Sequence, residues 1–149
     1  MRAVLFVLMF IGGCSIPEES LMTQDKMEKI VINNVELIEQ KKGFLTFKYN
    51  KVNMALISDV KHDRMRIIAS ITEYSELTAE QKDAIMTSNF HRALDARYAV
   101  SNGVLYSAFI HPLSPLTQKQ IEDVLKQVST LALTFGSSYS AGGLSFGAE

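Results

Sequence analysis

Residues 1–13 constrain the fold most, because they are predicted to take no part in it. The chain opens with a positive charge at Arg2, continues through an apolar run from Ala3 to Ile11 (AVLFVLMFI), and reaches the small pair Gly12-Gly13. A charged start, an apolar middle and small residues before a cleavage point make up a secretory signal. The run is much shorter than the roughly 20 residues that span a bilayer, so it predicts a removable signal rather than a transmembrane helix.

The residues around Cys14 sharpen this prediction. Ile11-Gly12-Gly13-Cys14 resembles the lipobox of bacterial lipoproteins, in which an aliphatic residue and two small residues precede a cysteine. The resemblance implies cleavage before Cys14 and attachment to a membrane of the bacterial cell envelope through lipid on that cysteine. Ser15 stands where an aspartate would favour inner-membrane retention in enteric bacteria. In a Gram-negative host the resemblance therefore implies the periplasmic face of the outer membrane.

Cys14 is also the only cysteine, so an intramolecular disulfide is impossible and the fold must depend on an apolar core. The sequence divides after the signal into a tether at 14–22, a single domain at 23–136 and a Ser/Gly-rich tail at 137–149. The 15 basic and 16 acidic side chains nearly balance, which argues against a nucleic-acid partner because such proteins present a basic face.

The tail leaves two options open. It is too poor in apolar residues to fold alone. It is therefore either mobile or docked onto the domain through its three large apolar residues, Tyr139, Leu144 and Phe146.

Apolar residues at helical spacing predict three helices. A glycine that can adopt the left-handed conformation closes the first, and a Thr-x-x-Gln capping box opens each of the other two. The predicted helices are 23–42 closed by Gly43, 78–95 opened by Thr78 and Gln81, and 117–136 opened by Thr117 and Gln120.

Alternation of apolar and polar residues predicts five strands. Asn50-Lys51 and Asn102-Gly103 fit tight hairpin turns, because asparagine and glycine tolerate positive φ. His111-Pro112 is predicted to break the sheet, since proline cannot donate to a ladder. The element order αβββαββα describes an α+β domain with a five-stranded, mostly antiparallel sheet packed with three helices. The strands are 44–49, 52–58, 64–72, 97–100 and 104–110.

This order resembles that of the type III secretion chaperone-like superfamily. Asn89–His91, Ala93–Ala99 and Leu105–Leu113 resemble the YbjN-like branch of that superfamily, and the likeness covers residues 23–136. It implies the superfamily's fold, homodimerisation and the binding of extended segments of protein partners. The YbjN-like branch brings no established chemistry with it.

The histidines are the candidates for chemistry. His62, His91 and His111 have no metal-ligand spacing to one another or to the cysteine. The sequence also lacks a nucleophile elbow and a phosphate-binding loop. We therefore expect no catalytic residues, no metal and no cofactor. The alternative is a small envelope hydrolase or ligand-binding protein that uses one or more of these histidines.

A mixed stripe on the second helix is the candidate partner surface. Met86, Asn89, Phe90 and Ala93 share one helical face. Such a stripe suits packing on the chain's own sheet and suits equally a second subunit, and both interpretations stay open. The lipobox, the element order and the missing catalytic constellation together favour a non-enzymatic, lipid-anchored protein-binding or assembly domain that presents a sheet face or a helix groove.

Overall fold

A computed structural model describes residues 21–146. The predicted signal, the predicted lipidation site at Cys14, most of the predicted tether and the last three residues of the tail lie outside this range. Within it the chain forms three helices, six strands and a short 3₁₀ turn at Tyr74–Glu76. The helices are α1 (Gln24–Asn34), α2 (Ala79–His91) and α3 (Gln118–Leu133). The strands are β1 (Glu36–Lys41), β2 (Phe44–Tyr49), β3 (Val52–Asp59), β4 (Arg64–Glu73), β5 (Arg97–Ser101) and β6 (Val104–Pro112).

The sheet has the strand order β1-β2-β3-β4-β6-β5, and every neighbouring pair is antiparallel. The first four strands form a meander. The chain then crosses through α2 to the far edge, where it forms β5 and returns as β6 between β5 and β4. The predicted α+β class is confirmed, but the sheet has six strands among the described residues rather than five.

The extra strand β1 occupies the second half of the predicted first helix. The helix ends at Asn34, whose side-chain amide donates to the Ile30 carbonyl at 2.8 Å, and Val35 is already extended. Every residue of β1 is exposed, so the strand carries no apolar alternation that would announce it. The helical spacing of Val31, Val35 and Ile38 is therefore misleading. Gly43 does adopt a positive φ of 80°, but in the β1–β2 turn rather than as a helix cap.

The other local signals in the sequence are confirmed. Asn50 and Lys51 have φ of 48° and 67°, and Asn102 and Gly103 have φ of 49° and 79°, as tight hairpin turns require. Both predicted capping boxes are formed. In each box the backbone N–H of the glutamine donates to the threonine hydroxyl at 3.2 Å. The backbone N–H of the threonine donates in turn to the side-chain oxygen of the glutamine.

His111 and Pro112 do not break the sheet, because they form the end of β6. Pro112 lies opposite Arg64 of β4, while β5 reaches along β6 only to Ala108. The next amide, that of Leu113, donates to the Asp63 carbonyl on the β4 side at 3.2 Å. In an antiparallel ladder the nitrogen of Pro112 then points away from β4, where no strand needs a donor.

The core lies on one side of the sheet. α3 packs across β3, β4 and β6, α1 packs beside α3, and α2 packs at the β5 edge. The Tyr98 hydroxyl donates to the Leu131 carbonyl at 2.8 Å and ties β5 to α3. Alternate strand residues facing the helices are buried, among them Leu45, Phe47, Met54, Leu56, Met65, Ile67, Leu105 and Phe109. None of the helices among residues 21–146 is long and apolar enough to cross a membrane.

The tail returns to the end of α2. Tyr139 packs edge-on against Tyr98 and Phe135, and its carbonyl accepts from the Ser88 hydroxyl. The Ala141 amide donates to the Arg92 carbonyl at 3.0 Å. Residues 137–146 are thus docked, with Tyr139 as the apolar contact, while the side chains of Leu144 and Phe146 stay exposed.

Asp63 holds the β3–β4 loop to the segment before α3. Its carboxylate accepts from the Ser114 amide at 2.8 Å and from the Ser114 hydroxyl at 2.7 Å. These hydrogen bonds lower the pKa of Asp63 because they favour its charged form, and the bond from the Ser114 hydroxyl has the larger effect. Its contribution to stability is therefore present above the ordinary pKa of an aspartate and is lost as the pH falls through the lowered value.

Ser114→Ala should raise the pKa of Asp63 towards its ordinary value, measured by the carboxyl carbon shift in an NMR titration. Ser137→Ala, which removes an exposed hydroxyl far along the chain, serves as the control and should leave the Asp63 titration in place. An Asp63 titration that is the same in wild type and Ser114→Ala would contradict this role.

Candidate functional site

The stripe predicted on α2 is divided by the structure. Met86 and Phe90 are 68% and 80% exposed, so they are free of the domain's own core. Ala93 is fully buried within that core. The Asn89 side chain accepts from the Tyr98 amide at 2.7 Å and donates to the Tyr98 carbonyl at 3.1 Å, which fastens α2 to β5. Only Met86 and Phe90 of the four are therefore available to another molecule.

The three histidines lie in different parts of the fold. His62 is in the β3–β4 loop, 2.6 Å from the Asp59 carboxylate, and this hydrogen bond lowers the pKa of Asp59. His91, at the end of α2, contacts the Phe146 carbonyl of the tail. His111 stacks on the Phe109 ring, and its Nδ1 lies 2.7 Å from the Pro112 carbonyl oxygen. No group of three possible metal ligands forms among residues 21–146.

His111 has the most suggestive surroundings of the three. It lines a cavity with the carboxylates of Asp95 and Asp123. The cavity holds about 120 Å³, however, whereas ligand sites measure roughly 300–1,000 Å³. Asp95 is already engaged by the Gln127 side chain, which donates to its carboxylate at 3.2 Å and accepts from its amide at 2.9 Å. These contacts fasten the α2–β5 loop to α3.

A larger depression of about 620 Å³ lies between α1 and the segment that leads into α3. Its walls include Leu21, Ile30, Leu116 and the aliphatic stem of Lys29. It begins where the described chain begins. The described residues that line it include no histidine and no carboxylate, and its titratable side chains are the exposed Lys26 and Lys29.

The face of the sheet opposite the helices is a further candidate surface. We call it the bare sheet face. It is formed by the alternate residues of β2, β3, β4 and β6 that point away from the core. Its central members are Phe44, Thr46, Ala55, Ile57, Arg66, Ile68, Tyr106, Ala108 and Ile110. The same alternation continues outwards to the polar residues Lys48, Asn53, Asp59, Arg64 and Ser70.

The bare sheet face is separate from the core. All three helices contribute to a single core cluster, to which none of the nine central members belongs. Even Ala108, which is buried, lies outside that cluster. Ile110 is 58% exposed. The helices of residues 21–146 therefore all lie on the other side of the sheet.

Strand register arranges the bare sheet face in two rows. One row runs Phe44, Ile57, Arg66, Ile110 across four strands, and the next runs Thr46, Ala55, Ile68, Ala108. Directly opposed side chains in such rows lie about 5 Å apart, so each row forms a continuous surface. A depression of about 260 Å³ opens on the second row, with Ile38, Tyr106 and Ser70 also among its walls.

Arg66 is the charge at the centre of this surface. It is exposed, and its side chain makes no hydrogen bond or ion pair with any residue between 21 and 146. Its direct cross-strand neighbours are Ile57 and Ile110. A guanidinium among apolar side chains gives the surface a cationic point that can recognise a carboxylate.

Sequence reasoning missed this surface, although a signal for it exists. Strands packed on one face only should carry polar residues at the alternate positions. Here β3, β4 and β6 carry Ile57, Ile68 and Ile110 at those positions. Apolar residues at these alternate positions of neighbouring strands predict a second, partly apolar face of the sheet.

The fold is similar to chains in two solved structures of complexes. A chain in the structure of the HopA1-SchA chaperone-effector complex has a TM-score of 0.55 and 9% identity, over 75% of this chain and 88% of that chain. A chain in the crystal structure of the ExsC-ExsE complex has a TM-score of 0.52 and 14% identity, over 71% and 84%. No protein-family model and no curated protein matches the sequence. The chain therefore has a type III secretion chaperone-like fold, as predicted.

Proposed function

We propose that this chain is a non-enzymatic protein-binding domain that engages its partner through the bare sheet face and is held in the bacterial envelope by lipid on Cys14. The observation that carries the proposal is a broad sheet face that no helix of the described chain covers and that carries the half-buried Ile57 and Ile68 beside the exposed Ile110. Apolar residues grouped on one face of a protein and rimmed by polar residues indicate an interaction site. Both similar folds come from protein complexes, one of them a chaperone with its effector, which supports a protein partner here.

The lipid anchor is the second part of the proposal. It rests on the lipobox residues that end in Cys14. Ser15 in the following position supports delivery to the periplasmic face of the outer membrane if the host is Gram-negative. An anchored domain of this fold would differ from a soluble secretion chaperone in its cellular location. We propose that the chain belongs to the YbjN-like branch of the superfamily.

A second copy of the chain is the occupant that we propose for the exposed pair Met86 and Phe90 on α2. The pair is apolar, exposed and one turn apart on α2, and a two-fold interface would bury this same patch on both copies. Sedimentation as a monomer at every concentration tested would contradict this part of the proposal.

Ile110→Asp should abolish recovery of the partner, because it places a charge in the apolar row next to Ile57 and Arg66. The measurement is affinity capture from envelope extract with the tagged, acyl-free domain. The readout is the set of proteins that the wild-type domain recovers and the variant does not. Val60→Asp is the matched control, since Val60 is equally exposed at 59% but lies in the β3–β4 loop. Loss of at least about tenfold, or 1.4 kcal/mol, is expected at Ile110 and little change at Val60.

The proposal would be overturned if wild type recovers no specific protein, or if Ile110→Asp and Val60→Asp recover the same proteins in the same amounts. Thermal unfolding of both variants is measured alongside, so that loss of binding is separated from loss of folding.

A further inference from the structure

We propose that the partner element seated on the bare sheet face is an amphipathic α-helix that carries a carboxylate within its apolar stripe, opposite Arg66. This inference rests on the proposed function and adds the chemistry of the ligand. It differs from the expectation drawn from the family resemblance, which is an extended segment.

The backbone chemistry of the surface favours a helix. The central strands β3, β4 and β6 have a neighbour on each side over much of their length, so the ladders use most of their backbone donors and acceptors. A sheet face therefore offers side chains rather than backbone hydrogen bonds. An extended segment laid on it would have its own amides and carbonyls covered without partners, which is costly. A helix satisfies its backbone internally and can bury an apolar stripe directly.

The dimensions of the surface agree with a helix. Strands lie about 4.8 Å apart, so β3, β4 and β6 together are about 10 Å wide, and a helix with its side chains is about 10–12 Å across. Ile57 and Ile110 flank Arg66 of β4 on its two sides, and Ile68 lies two residues further along β4 in the neighbouring row. From Arg64 to Ser70 the strand extends about 20 Å, which matches a helix of about 13 residues.

The positive charge of Arg66 on this surface calls for a negative charge on the partner helix. The acidic residues near it are already engaged at its margins: Glu39 pairs with Lys41 at 2.7 Å, and Asp59 bonds His62 at 2.6 Å. The central cation Arg66 has no partner among residues 21–146. A helix without an acid would cover this guanidinium and leave it unpaired, whereas an Asp or Glu in the stripe would pair with it.

The test is a charge-swap selection with a displayed library. Eighteen-residue helical peptides with randomised stripe positions are selected on the full chain held in phosphatidylcholine nanodiscs, as wild type, Arg66→Glu and Lys61→Glu. Wild type and the Lys61→Glu control should select an acid at one stripe position, and Arg66→Glu should select Lys or Arg there. The best wild-type peptide should bind about three- to tenfold more tightly than its Asp→Lys twin, and Arg66→Glu should reverse this order.

Several results would overturn the inference. The first is that no helical peptide is enriched. The second is that wild type and Arg66→Glu select the same charge in the stripe. The third is that a library of alternating, strand-like peptides is enriched as strongly as the helical library. Arg66-dependent binding to phosphatidylglycerol vesicles without any peptide would show a membrane surface as the ligand instead. If the peptide selection fails while Ile110→Asp still loses the natural partner, the proposal of a helical partner is wrong and the proposed function stands. If the peptide selection and the affinity capture both fail, the proposed function is wrong too.

Discussion

Ile67→Ala should lower the free energy of unfolding by about 2–5 kcal/mol, whereas Ile68→Ala, one residue later, should cost about 1 kcal/mol or less. The two isoleucines are neighbours on β4 and point to opposite faces of the sheet. Ile67 is fully buried among the helices, so its truncation leaves a cavity. Ile68 lies on the bare sheet face and is only partly covered, so little packing is lost.

This comparison controls for strand propensity, because the same side chain is removed from the same strand. Urea titrations give both free energies, and an unchanged denaturant dependence shows that the unfolded state is the same. Equal costs at the two positions would mean that a further layer of the protein covers the bare sheet face, and the face would then not be open to a partner.

Cys14→Ser should abolish fatty-acid incorporation into the protein and leave the signal uncleaved before residue 14. Cys14 is the only cysteine, so no other thiol can take its place. Each buried methylene contributes about 0.8 kcal/mol to membrane binding, and more than one acyl chain is needed for stable anchoring. Metabolic labelling with a radioactive fatty acid and the intact mass of the mature chain measure both expectations.

Ser15→Asp is the matched variant for this experiment, because it leaves Cys14 intact. In an enteric host it should keep the acyl label and move the protein from the outer-membrane to the inner-membrane fraction. A wild-type chain that incorporates no fatty acid, or that retains Met1, would refute the lipoprotein assignment.

The features that could be predicted from sequence are those fixed by neighbours in the chain. A capping box needs only a threonine and a glutamine at the right spacing, and both boxes are formed at Thr78 and Thr117. The turn at Asn102-Gly103 depends on two residues that tolerate positive φ. Such signals are local, so the surrounding fold does not override them.

The features that could not be predicted depend on position in the sheet. β1 is an edge strand with both faces exposed, so its sequence is charged and resembles a helix surface. Pro112 is tolerated in β6 only because β5 stops at Ala108 and leaves its nitrogen without a strand to bond. Neither circumstance is visible before the strands are placed side by side.

The candidate site shows the same limit. Helical spacing predicts the stripe on α2, but only the fold reveals that Ala93 is buried while Phe90 is exposed. The bare sheet face joins residues from four strands between Phe44 and Ile110, and no contiguous stretch of sequence contains it. Its signal is the presence of apolar residues on both phases of β3, β4 and β6.

Photocrosslinking in living cells shows whether another protein binds the bare sheet face of the full chain. A photoreactive amino acid is placed at Ile110 on the bare sheet face, at Phe90 on α2 or at Val60 in the β3–β4 loop. We expect a discrete adduct with a different protein from Ile110, an adduct with a second copy of the chain from Phe90, and none from Val60. Capture of a different protein from Phe90 or Val60, while Ile110 captures nothing, would show that the partner binds elsewhere on the chain.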